Sequence, residues 1–154
     1  MRGFSNTIRI GRFIYLAPFE YGINLFSSRL IRISCGDINI IENIDKTIDN
    51  GGTLRDLILS LDLTQKKAGF VGFSGVYHAG QYLYLCPWRG VYEPRNGQRG
   101  HGNIPRVDLN IFDIQGMESM DLTSYTRSQV PSFADINMRG YSDCFACKPC
   151  LFRA

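Results

Sequence analysis

Short, mostly apolar runs separated by glycine- and proline-containing turns recur along the whole chain. The runs are rich in tyrosine, leucine, isoleucine and valine, which is the composition typical of β-strands. One segment, "IENIDKTIDNGGTLRDLIL" (Ile41–Leu59), departs from this pattern. It contains an Asn-Gly-Gly turn and has room for one short helical turn. The pattern therefore predicts an all-β protein built from many short strands.

The chain repeats itself. "GFSNTIRIGRFIYLAPF" (Gly3–Phe19) aligns without a gap with "GFSGVYHAGQYLYLCPW" (Gly72–Trp88), and seven of the 17 aligned residues are identical. Gly11 and Gly80 coincide at the centre of the alignment. A tight hairpin needs positive φ at such a position, which glycine adopts at little cost. Each copy therefore predicts two strands joined by a hairpin turn.

The second half of the unit is repeated as well. Leu30–Ile40 matches Ile104–Ile114, and Ser60–Thr64 matches Ser119–Thr123. The three offsets of 69, 74 and 59 residues place five extra residues in the middle of the second copy and fifteen extra residues late in the first. A third copy begins at "SFADINMRGYSDCFACKPC" (Ser132–Cys150). Each complete copy predicts four antiparallel strands, with the length differences in loops.

The amino-acid sequence of these strands resembles the repeats of kelch-like β-propeller proteins. The motifs that carry the resemblance are Gly72–Gly75, Gly80–Trp88, Arg106–Leu109 and Asp121–Thr123, together with their first-copy counterparts. The first copy departs from the family pattern, because Asn6-Thr7 stands where the family favours Gly-Gly. The resemblance implies tandem four-stranded antiparallel blades in an incomplete, open propeller. It divides the chain into blade 1 (1–69), blade 2 (70–130) and a partial blade 3 (131–154).

Two and a third blades cannot close the ring that removes exposed sheet edges from a propeller. The preferred interpretation is that the chain is a fragment of a larger propeller. Two alternatives stay open: self-association with further copies through the open sheet edges, or an open β-sheet domain.

Charge and composition exclude some classes of function. The net charge is only +3, from 17 basic and 14 acidic residues, and the basic residues are dispersed, which argues against a nucleic-acid partner. There is no apolar run of about 20 residues, the length that a membrane span needs. The odd number of cysteines, five, fits a reducing compartment, and the expected location is the cytoplasm.

The cysteines near the carboxyl end are the most conspicuous chemical candidates. Cys144, Cys147 and Cys150 form two Cys-x-x-Cys steps that share the central residue, as in part of a zinc or iron–sulfur ligand set. A fourth ligand would have to come from Cys35, Cys86, His78 or His101. In a regular strand, however, Cys144 and Cys147 point to opposite faces. We therefore expect a structural role without a metal or other cofactor, and leave a metal site and a redox or disulfide role as alternatives.

Other polar motifs do not converge on catalysis. The two histidines, His78 and His101, have no carboxylate or serine at a spacing typical of a catalytic triad. The glycine-rich "GQRGHGN" lacks the spacing of a phosphate-binding loop. Asp62, Asp108 and Asp121 recur at repeat positions. We expect them to accept hydrogen bonds from amides at turns and strand ends.

The loop "RGVYEPRNGQRGHGN" is the preferred binding surface, because arginine and tyrosine are enriched at interaction hot spots. Its candidate residues are Arg89, Tyr92, Arg95, Arg99 and His101. The favoured function is a non-catalytic protein-interaction or scaffold module that binds a protein partner. Two alternatives remain: a segment of an enzyme-type propeller, hydrolytic or carbohydrate-directed, whose catalytic residues lie elsewhere; and a metal- or redox-linked protein that uses the terminal cysteines.

Overall fold

The computed structural model describes residues 3–23, 25–36, 40–88 and 102–121, and these form ten strands, one α-helix and two short 3-10 turns. The strands are β1 (Phe4–Ile10), β2 (Phe13–Pro18), β3 (Glu20–Gly22), β4 (Leu25–Phe26), β5 (Arg29–Ser34), β6 (Ile58–Asp62), β7 (Phe73–Ala79), β8 (Tyr82–Pro87), β9 (Asn103–Asp108) and β10 (Met117–Asp121). The helix α1 spans Ile40–Asp49, and the 3-10 turns span Leu54–Leu57 and Leu63–Gln65.

The strands form two four-stranded antiparallel sheets. The first has the order β1-β2-β5-β6 and the second has the order β7-β8-β9-β10, so each sheet runs up and down in chain order. The small hairpin β3-β4 lies between β2 and β5 and forms a sheet of its own. The predicted all-β class and the four-stranded antiparallel units are confirmed.

The two sheets share one pairing register. In the first sheet Tyr15 lies opposite Arg32, and in the second Tyr84 lies opposite Arg106. The same three offsets of 69, 74 and 59 residues that align the sequence also superpose the strand partners of the two sheets. Even the irregularity in the first hairpin recurs, between Phe4 and Thr7 and again between Phe73 and Gly75. The sequence repeat is thus also a repeat of hydrogen-bonded structure.

The first hairpin of each sheet shows why its glycines are needed. Gly11 and Gly80 have φ values of 56° and 61° and begin two-residue turns, as predicted. At the other end of each hairpin, the Phe19 amide donates to the Gly3 carbonyl at 2.6 Å. In the second sheet the Trp88 amide donates to the Gly72 carbonyl at 3.1 Å. Both ends of the hairpin are therefore fixed in the same way in the two copies.

The sheets pack face to face around one core. Strand β7 lies against both β1 and β2, and the Ser5 hydroxyl donates to the Phe73 carbonyl at 2.8 Å across the interface. The buried cluster takes its side chains from both sheets, including Tyr15, Ala17, Leu30, Leu61, Val76, Leu83, Leu85, Val107 and Met117. Burial of this apolar surface is the main force that holds the two sheets together.

Three elements differ from the sequence expectation. The segment expected to hold one helical turn forms α1, ten residues long, with an ion pair between Lys46 and Glu42 at 2.7 Å. The third strand of the second copy ends at Asp108, whose carboxylate accepts a hydrogen bond from the Asn110 amide and so begins a turn. The hairpin β3-β4 was not predicted. Each difference lies in a connection between the repeated strands.

Candidate interaction face

Four side chains form a continuous row across the second sheet. Tyr77, Tyr84, Arg106 and Glu118 are direct cross-strand partners on β7, β8, β9 and β10. The Tyr77 and Tyr84 rings stack with their centroids 4.9 Å apart and their planes within 13°. Cross-strand pairs of this kind stabilise a sheet and also define a surface. With Tyr82, we call these side chains the Tyr/Arg face.

Arg106 is at the centre of the Tyr/Arg face. Its guanidinium lies 4.1 Å from the centroid of the Tyr82 ring and donates two hydrogen bonds to one carboxylate oxygen of Glu118, at 2.6 and 3.0 Å. Hydrogen bonds with the Tyr84 side chain and with Glu118 raise the pKa of Arg106. The guanidinium therefore stays charged, lies against the Tyr82 ring and is neutralised by the Glu118 carboxylate beside it.

Strand alternation explains why the sequence builds this face. On β8 the buried residues Leu83 and Leu85 point into the core, whereas Tyr82 and Tyr84 are half-buried on the opposite side. Burial and the neighbouring Tyr84 raise the pKa of Tyr77. The Tyr77 hydroxyl therefore stays protonated at neutral pH.

The first sheet contains the Tyr–Arg pair of this row in a covered form, with Ile8 and Leu59 in the places of Tyr77 and Glu118. Tyr15 pairs with Arg32 as Tyr84 pairs with Arg106. The Arg32 guanidinium lies between two rings, 4.6 Å from that of Phe13 and 4.5 Å from that of Phe112, which belongs to the second sheet's β9–β10 connection. Tyr15 is only 1% exposed, and burial raises its pKa against the opposing effect of the Arg32 charge. The second sheet thus covers the first sheet's Tyr/Arg row.

The residues that the sequence placed in a binding loop, Arg89, Tyr92, Arg95, Arg99 and His101, lie outside the described residues. The candidate metal ligands Cys144, Cys147 and Cys150 lie outside them as well. Within 3–23, 25–36, 40–88 and 102–121, no three His, Cys, Asp or Glu side chains are grouped so that they could hold a metal ion.

The remaining candidates can be placed. His78 is exposed on β7, close to the hairpin turn. Cys35 is a buried free thiol, whereas Cys86 is disulfide-bonded. By strand alternation, Cys86 is on the same side of β8 as Tyr82 and Tyr84. The structure therefore brings one cysteine to the edge of the Tyr/Arg face.

Asp62 and Asp108 accept hydrogen bonds from amides at turns, as predicted, although Ser34 and not an aspartate stands at the first-copy position of Asp108. The Asp62 carboxylate accepts hydrogen bonds from the Thr64 amide at 3.1 Å, the Thr64 hydroxyl at 2.6 Å and the Ser28 hydroxyl at 2.9 Å. Asp108 accepts from the Gln81 side chain at 3.0 Å. Asp121 forms an ion pair with Lys67 at 3.6 Å. These carboxylates stabilise the repeated strands.

Sequence reasoning found the aromatic strand but missed Arg106 and Glu118 as its partners. Both copies have an arginine in the third strand that follows a tyrosine in the second: Arg32 comes 17 residues after Tyr15, and Arg106 comes 22 residues after Tyr84, a difference that equals the five extra residues in the second copy. A shared arginine in two half-buried strands indicates a structural partner on the neighbouring strand.

The chain matches no protein-family model, no curated protein and no solved structure. Among the described helical residues, no helix is long and apolar enough to span a membrane.

Proposed function

We propose that the chain is a non-catalytic protein-interaction or scaffold module whose two sheets are consecutive blades of a propeller-type repeat. The observation that carries the proposal is the identical pairing register of the two sheets around one shared core. Repetition of this kind is typical of folds that present loops from a rigid framework.

The groups that recur in the repeat support a structural role. Asp62 stabilises the turn after β6, and Arg106 is engaged by Tyr82 and Glu118 within its own sheet. Side chains that serve the same position in each copy serve the repeated fold. The partner-specific chemistry is then expected in the connections, which differ between the copies.

We propose that the binding surface is formed by the connection between the second and third strands of each sheet. In the first sheet this connection carries the β3-β4 hairpin, where Tyr21, Ile23 and Leu25 are 50%, 90% and 52% exposed. In the second sheet it is the loop with Arg89, Tyr92, Arg95, Arg99 and His101, outside the described residues. The Gly72 amide donates to the Ser27 carbonyl at 3.3 Å, which joins the start of β7 to the first connection. Both connections therefore leave their sheets at the same end.

The combination of an exposed apolar hairpin and an arginine- and tyrosine-rich loop fits a protein partner with an apolar patch rimmed by acidic residues. Exposed large apolar side chains on a small domain are typical of interaction sites. Ile23 is the most exposed of the large apolar side chains in the described part of the chain. We expect it to insert into the partner.

The test compares the partners captured by the wild-type chain, by two triple variants and by the single variant Ile23→Asp. Arg89→Ala, Arg95→Ala and Arg99→Ala remove three charges from the loop. Arg12→Ala, Arg55→Ala and Lys66→Ala remove three charges from exposed positions elsewhere. The expected result is a partner that the wild type and the control retain and that the loop variant and Ile23→Asp both lose. Equal capture by all four proteins contradicts the proposed surface.

A further inference from the structure

We propose that the Tyr/Arg face of the second sheet is a docking surface for residues 132–150 of this same chain. These residues lie outside the described residues. The proposal goes beyond the proposed function, because it concerns a face of the sheet and not the connections that bind a partner. Either proposal can fail while the other stands.

The two sheets already pack through an equivalent contact. The first sheet's Tyr/Arg row is covered by the second sheet, whose β7 lies against β1 and β2. The face of the second sheet that makes this contact is aliphatic, with Val76, Leu83 and Val107 in the core cluster. Since the pairing registers are identical, the Tyr/Arg face stands where the next unit of the same repeat would pack.

The connection after the second sheet is as long as the one between the two sheets. Ten residues (63–72) join the end of β6 at Asp62 to the start of β7 at Phe73. Eleven residues (122–132) separate the end of β10 at Asp121 from Phe133, which aligns with Phe73 at an offset of 60. Both connections begin with Leu-Thr, directly after an aspartate that ends the strand. A connection that brings β7 onto the first sheet is therefore long enough to bring Phe133 onto the second.

The residues of the segment 132–150 match those of β7 in chemical type at the aligned positions. On β7, Phe73 and Val76 are the large apolar residues that enter the core between the sheets. In the segment after Asp121, Phe133 and Ile136 stand at these two positions, and Gly140 stands at the position of the turn residue Gly80. The segment thus has the apolar residues and the glycine that the equivalent contact uses.

The disulfide bond of Cys86, at the edge of the same face, also points to the segment 132–150. It is disulfide-bonded, and Cys35, the other cysteine of the described part, is a buried free thiol. The other three cysteines of the chain, Cys144, Cys147 and Cys150, all belong to the segment 132–150. A hairpin docked on the Tyr/Arg face brings its second strand to this edge.

Hydrogen–deuterium exchange on the full chain tests the docking. We expect amides in peptides that cover 133–140 to exchange at least about tenfold more slowly than those of the same synthetic peptide. Tyr77→Asp puts a carboxylate on the face and is expected to abolish this protection, while β1 and β2 keep theirs. Ile23→Asp adds the same charge at a 90% exposed hairpin tip and is the control, with no change expected.

A second variant and a second readout keep the test decisive. If Tyr77→Asp also unfolds β1 and β2, Ile136→Asp takes its place, and it is expected to free 133–140 alone. Peptide mapping without reduction is expected to link the tryptic peptides Ala68–Arg89 and Gly140–Arg153. The proposal is overturned if wild-type 133–140 is unprotected, if neither Asp variant on the interface frees it, or if its protection is lost on dilution, which would show that a second copy covers the face.

Discussion

At the scale of single residues, Asp62 shows how a side chain at a repeated position stabilises the end of a strand. Its carboxylate accepts three hydrogen bonds from Thr64 and Ser28 at the end of β6. The Thr64 side-chain hydrogen bond is the largest of the effects that lower the pKa of Asp62; burial acts against it, and the Ser28 hydrogen bond also lowers it. The ionised form is thus favoured in the folded chain.

We therefore predict that Asp62→Ala lowers the free energy of unfolding by about 1 kcal/mol at neutral pH, as for loss of a capping side chain. A depressed pKa contributes stability above the unfolded-state value, about 3.9, and that stability is lost as the pH falls through the folded-state pKa. The gap between wild type and variant should shrink below about pH 4. Urea unfolding at several pH values measures it. Asp45→Ala, at an exposed position of α1, is the control; an Asp62→Ala gap that is constant with pH contradicts the assignment.

Gly11 and Gly80 stand at equivalent turns of the two copies, so the same substitution can be tested twice in one protein. A Cβ at Gly11 or Gly80 meets nothing within 4 Å, so that the cost of Gly→Ala is the positive φ alone. We expect each substitution to lower the free energy of unfolding by about 1–2 kcal/mol. Gly69→Ala also has open space but no positive φ, and we expect a change within about 0.5 kcal/mol. Thermal unfolding followed by circular dichroism measures all three, and a Gly69→Ala effect equal to the others contradicts the explanation.

At the scale of elements, the repeated strands could be predicted and the connections could not. Alternating apolar residues and a central glycine determine β7 and β8, because a half-buried strand and a two-residue turn each have a clear residue pattern. The helix α1 was underestimated because its Asn-Gly-Gly end, with Gly51 at a φ of 77°, is also typical of a hairpin turn. Arg106 and Glu118 were missed as partners, because a contact between strands depends on a register that one strand alone does not reveal.

Equivalent positions in the two sheets differ in burial, and we predict that stability follows burial. Leu83 is fully buried between the sheets, whereas Ile14, 69 residues earlier, is half-buried on the outer face of the first sheet. Leu83→Ala should cost about 2–5 kcal/mol, and Ile14→Ala about 1–2 kcal/mol because less apolar area is lost. Chemical denaturation of both variants provides the comparison. Equal losses would show that the outer face of the first sheet is also covered in solution.

At the scale of the whole molecule, the shared core makes the two sheets one folding unit. Leu30 and Leu61 of the first sheet are in the same buried cluster as Leu85 and Met117 of the second. We predict a single unfolding transition, with coincident midpoints for Trp88 fluorescence and far-ultraviolet circular dichroism. Leu83→Ala should shift both midpoints equally. Two separated transitions would show that each sheet unfolds by itself.

The candidate binding loop could be proposed only from composition, since arginine and tyrosine in a long connection indicate a surface but not its geometry. The β3-β4 hairpin at the same end of the sheets has no counterpart in the repeat pattern. Ile23 became a candidate only when its exposure was known.

In the contact between the two sheets, the aliphatic face of the second sheet packs against the Tyr/Arg row of the first, so the two sheets contribute unlike faces. The sheets are therefore not related by a twofold axis. The outer face of the first sheet carries the aliphatic residues Ile14, Ile31 and Ile33, the counterpart of the face that already accepts such a row. Any assembly that extends this contact therefore joins unlike faces and forms a ring or an open stack, and a pair in which the same face of both copies meets cannot arise from it.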